Sequence, residues 1–143
     1  MARYLTTTDV AERLRRNYET LYNRDGAVDT DLVDADIDAA EAIVETAIGA
    51  RYTLPVSDAN SLRLVKAWSL TLVEELAYGA VPGRKVPENV ERRIERVYKL
   101  LDRVQSGDYD LPAGADAEDE RTDAVTCVQT ADPEFTRDNM KGF

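Results

Sequence analysis

Apolar side chains recur at helical spacing in four stretches of this chain. In the first, Val10, Leu14, Tyr18, Leu21 and Tyr22 fall on one side of a helix, with Asp9 and Glu12 in capping-box spacing and Thr8 as a competing cap. Asn23-Arg24-Asp25-Gly26 then signals a turn. A second helix is expected from about Asp31 to Tyr52, turning Val33, Ile37, Ala40, Val44, Ala47 and Ile48 inward. The third, from Ser61 to Tyr78 and closed by Gly79, is apolar nearly all round, so its own bundle or a neighbouring subunit must cover it. The fourth starts with Pro87 in its first turn and stops at Gly107. Its Val90, Ile94, Val97, Leu101 and Val104 keep heptad spacing over barely two and a half heptads, a length that suits bundle core better than a coiled-coil seam. The pattern predicts an all-α protein: a small four-helix bundle-like domain over residues 1–111, followed by an extended C-terminal tail over 112–143.

Polar positions add two charged faces. Between Asp29 and Glu45 there are seven acids and no base: Asp29, Asp31, Asp34, Asp36, Asp38, Glu41 and Glu45. On the fourth helix Arg92, Arg96, Lys99 and Arg103 form a basic stripe beside an acidic one of Glu88, Glu91, Glu95 and Asp102. Two readings of the basic stripe stand side by side. Glu88 to Arg92 and Glu95 to Lys99 sit at the favourable i,i+4 spacing, which would make it a solvated face paired within its own helix. Alternatively, Arg92, Arg96 and Arg103 meet Asp34, Asp38 and Glu41 on the second helix of an adjacent copy, a heterologous contact that closes a ring.

Composition removes whole classes of chemistry. The chain has no His and one Cys, Cys127, which leaves no Ser-His, Cys-His or His-metal arrangement, no zinc site and no internal disulfide. Cys127 lies in an acidic segment with nothing to stabilise a thiolate and reads as an inert small side chain. An EF-hand reading of Asn23–Asp31 fails on register, because Gly26 at the sixth position puts Leu21 and Leu32 where carboxylates are required. No catalytic constellation, metal or cofactor is expected. A formal charge of −10 argues against attraction to nucleic acid through net basicity. Fourteen of the eighteen basic residues are Arg, a balance that fits either a GC-rich genome or a high-salt host. With no apolar run near the roughly 18 residues that cross a bilayer and no apolar h-region after Met1, no membrane association is expected, and the chain reads as soluble and intracellular at synthesis.

The tail has its own logic. Residues 113–134 are rich in Asp, Glu, Ala and Thr and too poor in large apolar groups to offset their ordering entropy. Within them Ala124–Thr130 is dense in β-favouring residues and could add as a strand to a partner's sheet edge. The final nine residues restore what the segment lacks: Phe135, Met140 and Phe143 are interface-anchor types, with Arg137 and Lys141 interleaved. Phe135, Arg137, Met140, Lys141 and Phe143 are the candidate partner-binding residues. From Ala113 such a tail could reach roughly 100 Å at about 3.3 Å per residue.

The order of Asn23-Arg24-Asp25-Gly26, then Gly49-Ala50-Arg51-Tyr52-Thr53-Leu54-Pro55, then a helix ending Leu76-Ala77-Tyr78, then Pro87-Glu88-Asn89-Val90 opening a helix that closes at Gly107 and leads to Leu111, resembles the Mu-like bacteriophage head-tail connector family. The likeness covers residues 4–111 and the ending Phe135-Thr136-Arg137-Asp138-Asn139-Met140-Lys141-Gly142-Phe143. The acidic stretch between them stands out as an insert. What the resemblance implies is a helical adaptor of a tailed virus, assembled as a dodecameric ring beneath the portal protein at the virion neck. Its lumen would carry double-stranded DNA without binding it specifically, and its lower face would receive the stopper or tail-completion protein. The competing class is a helical regulatory protein that binds a host protein or nucleic acid through its Arg stripe.

Overall fold

A computed structural model of the chain describes residues 4–112. Its elements are α1 (Thr7–Leu14), α2 (Arg16–Tyr22), β1 (Asn23–Arg24), β2 (Ala27–Val28), α3 (Thr30–Ile48), α4 (Ala59–Gly79) and α5 (Glu88–Ser106). The protein is mostly helical, as the periodicity predicts, with five helices in place of four.

The extra helix comes from a break in the first stretch. Thr6 caps α1: its Oγ1 accepts from the Asp9 amide at 3.3 Å, while Asp9 Oδ2 accepts from the Thr6 amide at 2.8 Å. Asp9 is therefore the third residue of the helix and not its cap, and Thr8 lies inside. At Arg15 the backbone turns to φ 50° and ψ −117°, which ends α1 and starts α2. The apolar spacing runs through this break because both halves pack the same side inward. Val10, Leu14, Leu21 and Tyr22 are all buried.

The expected turn at Asn23–Gly26 is the tip of a two-stranded antiparallel hairpin pairing Asn23 with Val28 and Arg24 with Ala27. Asp25 and Gly26 both have positive φ, 55° and 89°, which is what a two-residue hairpin loop demands. Asn23 Oδ1 accepts the Gly26 amide at 3.1 Å.

Helix ends differ from the expected ones for local reasons. Asp29 caps α3 by accepting from the Leu32 amide, and the helix ends at Ile48, four residues before Tyr52. Arg51 and Tyr52 still donate their amides to the Ile48 carbonyl, each at 3.0 Å, so the last turn tightens and ends. Asp58 caps α4, which starts at Ala59, two residues before Ser61, and Gly79 lies within the helix, with Ala80 as its cap. Pro87 precedes the first residue of α5. Gly107 adopts φ 92° and donates to the carbonyls of Arg103 and Val104, the left-handed C-cap for which glycine is suited.

α4 is the centre of the structure. It packs against α3 and α5 with α1 and α2 alongside, so its own bundle covers most of the apolar helix, while Leu62, Leu64, Leu70 and Leu76 stay half-buried. The heptad residues of α5 are buried within the subunit, which makes them core. At about 1.5–3 kcal/mol per buried aliphatic side chain, these five positions supply most of what holds α5 down.

Candidate assembly surfaces and the tail exit

Burial sorts the seven acids of the second predicted helix into two groups. Four are engaged inside the subunit. Asp29 is the α3 cap. Asp36 Oδ2 accepts from Tyr22 Oη at 2.8 Å, and burial pushes both groups upward in pKa, with the tyrosine's hydroxyl partly offsetting the shift at Asp36. Glu45 Oε1 accepts from Tyr4 Oη at 3.0 Å, and that hydroxyl accepts the Val56 amide at 3.2 Å.

Glu41 corrects the expected interface most directly. Its side chain is only 3% exposed, and its Oε1 accepts the amides of Tyr4 and Leu5 at 2.9 and 2.8 Å. The carboxylate ties the start of the described chain to α3, because two backbone N–H groups buried there would otherwise lack acceptors. It is not part of the outer acidic face. That face consists of Asp31, Asp34 and Asp38, all exposed and spaced 3-4 along one side of α3.

The basic stripe of α5 divides similarly. Arg92 is exposed and paired with Glu88 through Nη2 and Oε1, the in-helix pair its spacing predicts. The second expected pair, Glu95 with Lys99, does not form. Among the described residues Arg96, Lys99 and Arg103 make no ion pair, and they lie opposite the buried Val90–Val104 face. Arg93, absent from the expected interface, points the other way and donates to Glu74 Oε1 at 3.2 Å.

Arg96 to Arg103 spans about 10.5 Å at 1.5 Å per residue, and Asp31 to Asp38 spans the same. The two strips match in length, spacing and opposite charge.

A third feature escaped the charge pattern altogether. Arg51 Nη1 donates to the carbonyls of Val104 and Tyr109, each at 3.1 Å, while Nη2 reaches Asp110 Oδ1 at 2.6 Å. That carboxylate holds the guanidinium pKa above its ordinary value. Beside it Tyr52 Oη accepts the Leu111 amide at 3.0 Å and donates to Asp110 at 3.4 Å. Trp68 meets the Tyr109 ring edge-on, with centroids 6.5 Å apart. The Arg51-Tyr52 pair thus clamps the segment through which the chain leaves the domain. In the sequence the pair stood out only as part of the Gly49–Pro55 stretch that carries the family resemblance.

Phe135, Arg137, Met140, Lys141 and Phe143 lie outside the described residues, as does the β-favouring segment 124–130. Among the described residues no three His, Cys, Asp or Glu side chains gather as a metal site, and no helix is long and apolar enough to cross a membrane.

What this geometry defines is a small helical protein whose distinctive features are charged outer faces and a fastened exit for its C-terminal segment. Residues 4–130 match the family described as Bacteriophage Mu, Gp36, and the chain belongs to that family. It is a Mu-like phage protein of the structural or morphogenetic, virion-associated kind. No curated protein matches it. The matched span includes residues 112–130, and the terminal hook falls beyond it.

Proposed function

We propose that this protein is a head-tail connector: an adaptor subunit that assembles as a ring beneath the portal protein, continues the DNA channel and docks the stopper or tail-completion protein. The observation that carries the reading is the pair of matched strips on separate helices of one subunit. The acids of α3 and the bases of α5 are exposed on separate helices of one subunit and would complement each other between copies, as the two side surfaces of a ring subunit must. Membership of a Mu-like phage family supplies the setting. A net charge of −10 suits a lumen that DNA traverses without sticking. The tail residues Phe135, Arg137, Met140, Lys141 and Phe143 are assigned to the portal or a neighbouring subunit, where a weak hook repeated around a ring gains avidity.

Reversing Arg92→Glu together with Arg96→Glu tests the ring. Both side chains are exposed, so helicity and melting temperature should be unchanged while the oligomer disappears in sedimentation and in electron micrographs. Rings that persist in the double variant would return the stripe to a solvated face. A regulatory protein that binds nucleic acid through the same stripe would instead show salt-sensitive DNA binding that the substitutions abolish.

A further inference from the structure

The chain from Thr7 to Tyr22 reads as one helix and folds as two. It holds no Gly or Pro, and Val10, Leu14, Tyr18, Leu21 and Tyr22 form a single apolar side across the break. At the break Arg15 takes φ 50° and ψ −117°, the backbone of the first central residue of a type II′ turn, where glycine is the rule and a side chain is strained. Helix bonds are lost there as well. The Arg15 amide still donates to the Ala11 carbonyl at 2.8 Å, but the Arg16 and Asn17 amides do not reach the Glu12 and Arg13 carbonyls that a continuous helix would offer, and Tyr18 bonds back to Arg15 at 3.1 Å. A straight helix would also set Glu12 beside Arg16 at the favourable i,i+4 spacing. What holds α1 in its bent position lies on other helices: Glu41 of α3 accepts the Tyr4 and Leu5 amides, Glu74 of α4 faces Arg13, and Val10 and Leu14 are buried. α2 is fixed independently, by Tyr22 Oη on Asp36, by the Asp29 amide on the Tyr22 carbonyl and by Asn17 on Tyr78 Oη.

We infer that α1 is an exchange arm: on assembly the break straightens, residues 4–14 leave the α3–α4 surface of their own subunit, and the same surface of a second copy of this chain receives them. The vacated surface already fits this sequence. The neighbour's copy of Glu41 takes the amides of the incoming Tyr4 and Leu5, its Glu74 takes the incoming Arg13, and its core closes over the incoming Val10 and Leu14. Contact for contact the fold is unchanged, so the difference between the two forms is confined to the hinge. There the straight form gains the missing helix bonds and sheds the strain at Arg15, while the bent form keeps the freedom of a separate subunit. The balance therefore turns on the concentration of copies, and a short hinge under strain tips it towards exchange. As one helix Thr7–Tyr22 is about 24 Å long at 1.5 Å per residue, enough to carry the arm clear of its own α4 while α2 stays in place. Each copy gives one arm and receives one, a head-to-tail relation that can close as a ring. The closing, though not the exchange, rests on the connector reading.

Ala67 is exposed and lies two turns before Glu74 on the same side of α4, so it neighbours Arg13 across the helix pair. A full-length variant carrying Arg13→Cys and Ala67→Cys, with Cys127→Ser to remove the chain's one native thiol, lets a short bis-maleimide join α1 to whichever α4 it rests on. Arg93 still faces Glu74 in that variant. Isotopically heavy and light chains are purified separately, mixed as dilute subunits, concentrated to assembly and linked, and the joined peptides are weighed. Dilute subunits should give only heavy–heavy and light–light pairs, and assembled protein should give mixed pairs at the frequency of random pairing. Pairs that stay unmixed after assembly overturn the arm. Arg15→Gly relieves the bend without straightening it and should assemble only at a several-fold higher protein concentration than the native chain. Arg15→Ala keeps the strain and should assemble at or below the native concentration. A glycine variant that assembles like the native chain also overturns the arm. The two readings fail separately: rings with unmixed pairs keep the connector and remove the arm, mixed pairs without rings keep the arm and remove the ring, and a chain that never associates removes both.

Discussion

Glu74 is the residue on which three helices depend. It stands on α4 with its side chain 8% exposed, its Oε1 3.2 Å from Arg93 of α5 and its Oε2 3.6 Å from Arg13 of α1. A carboxylate taken this far from water is tolerated only while cations hold it, and both arginines remain partly solvated. Truncating one partner, Arg93→Ala, should cost about 1–3 kcal/mol, because Arg13 still faces the charge. Truncating both should cost about 3–5 kcal/mol, the penalty of an uncompensated buried ion. Glu74→Gln in that double background should recover much of the loss. Urea denaturation of the three proteins checks the order, and a double variant no less stable than Arg93→Ala would show that the cluster is not coupled. Nothing in the sequence marked Glu74, since it falls in an apolar helix 61 residues from Arg13 and its partners are brought together only by the fold.

At the scale of elements, the break between α1 and α2 shows why apolar periodicity finds helices better than it finds their ends. No Pro or Gly stands at the break. Arg15 adopts a left-handed-side conformation, φ 50°, which a side chain tolerates at a cost of about 1–3 kcal/mol. Glycine would remove that strain but lose about 0.5–1 kcal/mol through greater freedom in the unfolded chain. The strain is the larger quantity, so Arg15→Gly should stabilise the protein by about 0.5–2 kcal/mol. A rise in melting temperature with unchanged helicity is the expected result, and a fall would mean that the Arg15 side chain contributes more than its backbone costs. The hairpin was more legible: Asp25-Gly26 supplies both positive φ values, and the turn was expected where it stands. The core was legible as well. Val33, Ile37, Ala40, Val44, Ala47 and Ile48 are all buried as the 3.6-residue period requires. Charges were harder to place, because Glu41 and Asp36 occur in the same acidic run as Asp34 and Asp38, and only tertiary contacts with Tyr4, Leu5 and Tyr22 tell an inner acid from an outer one.

For the whole molecule, the described domain and the residues beyond it take separate tasks in the connector reading: the helices build the ring, and the tail attaches it. Deleting residues 132–143 should leave thermal stability and ring formation intact while abolishing attachment to portal-containing heads. Co-sedimentation with such heads measures this, and undiminished attachment would assign the portal contact to the helical domain. The helical class and single bundle could be read from periodicity alone. The outward faces could be read only in part, since sequence records which residues are charged and not which are already spoken for.

The clamp at Arg51 and Tyr52 bears on how such a tail would transmit force. A pull on the chain beyond Pro112 would otherwise unwind α5 from its C-terminal turn, one carbonyl at a time. With the guanidinium bonded to Val104, Tyr109 and Asp110, and Tyr52 bonded to Leu111, the pull arrives instead at the residues just after α3, across several hydrogen bonds at once. The load is shared between two packed helices that must shear together before the subunit opens.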